Sequence, residues 1–171
     1  TCTSINLVSQ SKERIFEEKK SEYTFRSVNS IIKSINFAKN LMPNIVFKIF
    51  VIDHNSSIDD LKIIEKKLIY SKIPYKIINL NVAEFENKIQ KINQKNEKVE
   101  KNMLATMSSI YKSFLLAKTN CNDLVYFVED DYIHQNEAIS EMLFTYERIS
   151  SQIKNELIIC PSDYPFLYNK V

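Results

Sequence analysis

Apolar runs alternate with helical stripes along this chain, and that alternation is its clearest statement about fold. Thr3 to Val8 is a short apolar stretch that reads as a first strand. Gln10 to Ser21 is charged and irregular, a long loop or partial helix. From Thr24, a residue type suited to an N-cap, Val28, Ile31, Ile32, Ile35, Ala38 and Leu41 recur at helical spacing, and Pro43 follows. Ile45 to Ile52 is apolar except for Lys48, the pattern of a strand buried on both faces of a parallel sheet. The loop Asp53-His54-Asn55-Ser56-Ser57 comes next. Ser57 is placed to cap a second helix, with Asp59 and Asp60 in its first turn and Leu61, Ile64, Leu68 and Ile69 as its inner stripe.

Pro74 breaks that helix, and Tyr75 to Leu80 reads as another strand. Val82 to Lys101 is ambiguous. Phe85, Ile89 and Ile92 hint at a helix, but Gln90 to Lys101 has the composition of a solvated face or exposed loop. Helical spacing resumes with Met103, Met107, Ile110, Phe114 and Ala117. Leu124 to Val128 reads as a short strand. Asn136 opens a helix with Ile139, Met142, Leu143, Tyr146 and Ile149 inward, and Leu157 to Cys160 reads as the last strand. Strands alternating with helices predict one α/β domain with a mostly parallel sheet flanked by helices.

Composition narrows the chemistry. The 171 residues contain no glycine, where a domain of this size would carry about a dozen. A Walker A loop, a G-x-G-x-x-G dinucleotide turn and a G-x-S-x-G elbow are therefore excluded. Positions with positive φ should fall to Asn or Asp, and Asn55, Asn81, Asn120 and Asn122 stand at expected turns. A formal charge of +2 argues against a nucleic-acid partner. No apolar run reaches the roughly 18 residues of a membrane span. Cys2, Cys121 and Cys160 are odd in number and widely separated, which suggests reduced thiols in a cytoplasmic protein, free or peripheral at the inner face of a membrane. The opening Thr1-Cys2 reads as an excerpt from a longer polypeptide.

The chemistry-bearing residues fall at strand ends, where open α/β sheets bind ligands. The strand Ile45–Ile52 delivers Asp53, and Leu124–Val128 delivers Glu129, Asp130 and Asp131. Three consecutive carboxylates repel one another and need compensation, and a hard divalent cation is the natural candidate. In an extended segment Glu129 and Asp131 face one side and Asp130 the other. The competing reading is that these acids cap the helix near Asn136 or are simply exposed.

Val51-Ile52-Asp53-His54-Asn55-Ser56-Ser57 resembles the V-D-x-x-S segment of GT-A glycosyltransferases of the family-2 type, and Val125 to Tyr132 resembles their D-x-D segment, with Glu129 in the first acidic place. The resemblance implies a Rossmann-like, nucleotide-diphospho-sugar transferase fold and a nucleotide-sugar donor, a UDP-sugar first. It implies nucleobase contact by Asp53, sugar-side contacts by Glu129 or Asp130, and Mn²⁺ or Mg²⁺ on Asp131. There the cation neutralises the diphosphate leaving group. The acceptor, whether glycan, lipid or protein, is left undefined.

The chain departs from the family before the D-x-D strand. Where members carry Gly and an Arg-Asn pair, it reads Met107-Ser108-Ser109-Ile110-Tyr111-Lys112, so that Lys112 at most replaces the cation, against an ordinary exposed lysine. Asp163, beyond the last strand, is the one candidate for a catalytic role, against a turn-forming Asp before Tyr-Pro. His54 is a candidate for stacking on a base and His134 for joining the metal, against exposed loop residues, and Tyr164, Phe166 and Tyr168 are candidates for a sugar-binding wall, against packing on the remainder of the domain. With no further acceptor groups in view, the expectation is donor binding without transfer. Two alternatives stay open: a nucleotidyltransferase of related fold, whose loop here (Gln10 to Arg14) lacks glycine, and a non-catalytic receiver-like module.

Overall fold

The computed structural model describes residues 1–3, 19–90 and 97–161, the side chain of Lys98 apart. The expected first strand over Thr3–Val8, Thr3 apart, and Asp163 with its aromatic neighbours lie outside these residues. The order of elements is α1 (Lys20–Leu41), β1 (Ile49–Asp53), α2 (Ile58–Ser71), β2 (Tyr75–Asn79), a 3₁₀ turn at Val82–Phe85, α3 (Glu97–Asn120) and α4 (Ala138–Ile153). The protein is mixed α/β. Its sheet, among the described residues, has two strands, β1 and β2, paired in parallel with Ile49 opposite Tyr75 and Asp53 opposite Asn79.

The chain divides into two compact units, residues 1–29 with 47–133 and residues 30–46 with 134–171. In the first, β1 and β2 are joined by α2. Ser57 caps α2 as expected, its Oγ accepting from the Asp60 N–H at 3.1 Å. Ile64 and Leu68, one turn apart on α2, are fully buried, and Ile73, Leu80 and Phe85 join them in the core. The outer members of the expected stripe separate by position, since Ile69 is 58% exposed. In the second unit the Ser34 hydroxyl, fully buried on α1, accepts from the Ile139 N–H at 3.0 Å and anchors the start of α4.

α1 begins at Lys20 and not at Thr24. Thr24 is buried inside the helix, its hydroxyl 3.3 Å from the Lys20 carbonyl. β1 starts at Ile49, and Ile45 to Lys48 stay outside the sheet. α3 begins at Glu97, so its first turn is drawn from the stretch read as loop. Its buried residue is Ser108, whereas Met107, Ile110 and Phe114 of the expected stripe are exposed. Neither Leu124–Val128 nor Leu157–Cys160 pairs as a strand among the described residues. In the first of these segments the Phe127 ring lies 4.9 Å from that of Phe114 on α3.

A chain without glycine must place other residues in the left-handed region. Asn55 does so at φ 60°, as expected, but the other two such positions among the described residues are lysines, Lys72 at φ 56° and Lys154 at φ 54°. Both end helices, where their N–H groups return to the carbonyls of Ile69 and Ser150. Closing the helix outweighs a Cβ clash of roughly 1–2 kcal/mol. No disulfide joins the three cysteines. No described helix is long and apolar enough to cross a membrane.

Candidate functional site

The site is built where β1 ends. Asp53 is its last residue and is only 3% exposed. Its Oδ1 accepts from the Ser56 hydroxyl and its Oδ2 from the Ser56 N–H at 3.3 Å. A buried carboxylate needs such partners, and the consequence is a closed turn over residues 53–56. Asn55 supplies the left-handed residue inside it. Thr3 stitches the turn from outside: its N–H donates to the Ser56 Oγ at 2.9 Å, and its Oγ1 accepts from the Ser57 N–H at 3.3 Å. The carboxylate of Asp53 therefore faces inward and shapes the loop that carries His54 and Asn55.

Thr1 lies along the same strand end. Its terminal ammonium donates to the Ile52 carbonyl, and its carbonyl accepts from the His54 N–H at 2.9 Å. Bonds to the residues on either side of Asp53 are the pattern of a parallel ladder. Asp53 itself turns its carbonyl toward β2, accepting from the Leu80 N–H at 2.7 Å. Thr1 thus occupies the edge of β1 opposite β2.

From that edge Thr1 reaches the acidic turn. Its hydroxyl donates to Asp130 Oδ2 at 2.7 Å, and the Thr24 hydroxyl donates to the same oxygen at 3.2 Å. Lys20 Nζ donates to Asp130 Oδ1 at 2.8 Å and to Asp131 Oδ2 at 3.1 Å. The expected alternation fails here because the backbone turns at residues 130 and 131, bringing both carboxylates to one ammonium. Glu129 is exposed. Burial pushes the Asp130 carboxyl up, but the terminal ammonium, Lys20 and the Thr1 hydroxyl outweigh it and hold the carboxyl at about 2. Burial alone pulls Lys20 down. The hydrogen bond and charge of Asp130, with Asp131 adding to them, raise it above its ordinary value.

A cavity of about 400 Å³ opens beside the end of β1, its wall including Cys2, His54, Asn55, Val82, Glu86 and Lys101. Asp130 and Asp131 are not part of that wall. His54 Nε2 lies 3.3 Å from Asn55 Nδ2. His134, considered for a metal, has its N–H on the Ser30 hydroxyl at 2.9 Å within the second unit.

Sequence reasoning located Asp53 and the acidic turn but missed Thr1, Lys20 and Thr24. One signal was available: Lys20 and Thr24 are four residues apart, which places them on one helical face. Three consecutive acids need compensation, and an ammonium provides it as a divalent ion would. Among the described residues, no three Asp, Glu, His or Cys side chains come together as a metal-binding set. Compared with known proteins, the chain matches no family model, no curated protein and no solved structure.

Proposed function

We propose that this chain is the nucleotide-sugar-binding part of a glycosyltransferase with a GT-A, Rossmann-like fold of the family-2 type. The observation that supports the reading is the convergence on Thr1, whose backbone lies on the end of β1 and whose hydroxyl holds Asp130. Two acidic segments distant in sequence are tied to one end of a parallel strand, the place where α/β folds bind nucleotides.

In this reading the base enters the cavity beside His54 and Asn55, and Lys101 is the cation in its wall that meets the diphosphate. Asp53 acts indirectly, through the loop it closes. The acidic turn faces the ribose and sugar side. Transfer of the glycosyl group from the nucleotide to a glycan, lipid or protein acceptor is the reaction of the whole enzyme.

The resemblance also calls for Mn²⁺ or Mg²⁺ on Asp131, and the residues present do not fit that ion as they stand. Lys20 fills the position between Asp130 and Asp131, and both oxygens of Asp130 are engaged. No step of transfer is therefore routed through a metal. Amide shift mapping with UDP tests the reading. The expected result is perturbation of His54, Asn55 and Lys101. An unperturbed spectrum from the folded protein would sink it.

A further inference from the structure

The acidic turn does not fit a metal site, and the identity of the ligand beside it rests on the nucleotide-sugar reading. A hard cation bound by carboxylates requires oxygens free to approach, at roughly 2.0–2.1 Å for Mg²⁺. At this turn Asp130 Oδ1 receives Lys20, Asp130 Oδ2 receives Thr1 and Thr24, and Asp131 Oδ2 receives Lys20 again. We propose that the ammonium of Lys20 is the resident cation of the acidic turn, that it excludes a divalent metal, and that the neighbouring cavity takes a nucleoside diphosphate without one.

Three features make the ammonium hard to displace. The Lys20 side chain is only 14% exposed, so most of its desolvation is already complete and is compensated by two carboxylates. Its position at the first residue of α1 fixes its reach, and Thr24 one turn later locks the second oxygen of Asp130. A metal entering here must break the ion pairs and leave a half-buried ammonium without an anion. That cost sets the turn apart from an open carboxylate pair, where a metal displaces only water.

The test begins with Mn²⁺ alone, followed by electron paramagnetic resonance of the free ion. The wild type should leave the signal unchanged. Lys20→Met should bind one Mn²⁺ with a gain of at least about tenfold in affinity, and Lys20→Met with Asp131→Asn should lose it. A wild type that binds Mn²⁺ through Asp131, or a Lys20→Met variant no better than wild type, would overturn the proposal. Should Lys20→Met fold poorly, the wild type decides the matter through the ¹⁵N resonance of the Lys20 ammonium during a Mg²⁺ titration. An unmoved resonance supports the resident cation, and its release to solvent contradicts it. A UDP titration in EDTA separates the two readings. Binding is expected. Binding only with Mn²⁺ overturns the inference and leaves the nucleotide site standing, whereas no binding under either condition overturns both that site and the metal-free binding.

Discussion

The hydroxyl of Thr1 donates to the carboxylate of Asp130 at 2.7 Å, across 129 positions of sequence. Thr1 is also hydrogen-bonded to Ile52 on β1 and to His54 just beyond its end. A single residue therefore ties the strand end to the acidic turn. That turn is organised as an internal ion pair, with Lys20 opposite two carboxylates.

Acid should loosen this arrangement in a defined window. The Asp130 carboxyl ionises near 3.8 in an unfolded chain and at about 2 in the fold. A lowered folded value stabilises above the unfolded one, so the contribution is complete above about pH 4 and is lost as pH falls through about 2, amounting to about 2 kcal/mol. Lys20 is raised above 10.5, so its contribution is complete below that value and is lost as pH rises through its higher folded value. Urea denaturation of wild type and Asp130→Asn at about pH 6 and about pH 2.5 checks the acid limb. The stability gap between the two proteins should shrink by most of that amount at the lower pH.

Lys72 closes α2 at φ 56°. Lys72→Gly removes the Cβ clash and should stabilise the protein by about 1 kcal/mol, net of the greater freedom of glycine in the unfolded chain. A rise in the urea midpoint with an unchanged slope is the expected readout. Lys154→Gly at the end of α4 should act in the same direction.

Ser108 is fully buried on α3, and its hydroxyl has no hydrogen-bond partner among the described residues. A polar atom desolvated without compensation destabilises the fold, so Ser108→Ala should raise stability by about 1 kcal/mol. Thermal unfolding of the variant measures it, and a lower midpoint would show that the hydroxyl is satisfied.

Asp53→Ala should cost about 2–3 kcal/mol, because it strands the Ser56 N–H and hydroxyl at the end of β1. Ser56→Ala should cost about 1 kcal/mol, since Thr3 and Asp53 each lose one partner. Both should weaken nucleotide binding through the displaced loop carrying His54 and Asn55. Chemical denaturation and UDP affinity measured on the same samples separate the two effects.

The local chemistry of the fold was legible where one residue type has one structural use. Ser57 as a cap, the buried pair Ile64 and Leu68, and the parallel strands around α2 all followed from pattern. Helix starts were less legible, because Thr24 suits an N-cap as well as an interior hydroxyl that serves a distant carboxylate. Leu124 to Val128 has a strand's composition, but composition does not specify a partner strand. Of the site, Asp53 was visible at a strand end and the acids as a run of three, although the segment before them does not pair as a strand. Lys20 was not, because an ion pair spanning 110 positions leaves no local pattern. The left-handed lysines were equally hidden, since nothing in their side chains signals that geometry.

Calorimetric titration of UDP into the wild-type chain, once in EDTA and once in Mn²⁺, tests the account most directly. Saturable, one-to-one binding is expected in both, weakened by Asn55→Ala in the cavity wall. No heat and no shift in melting temperature under either condition, from protein shown to be folded, would contradict it and leave the acidic turn as an ion pair that serves the fold alone.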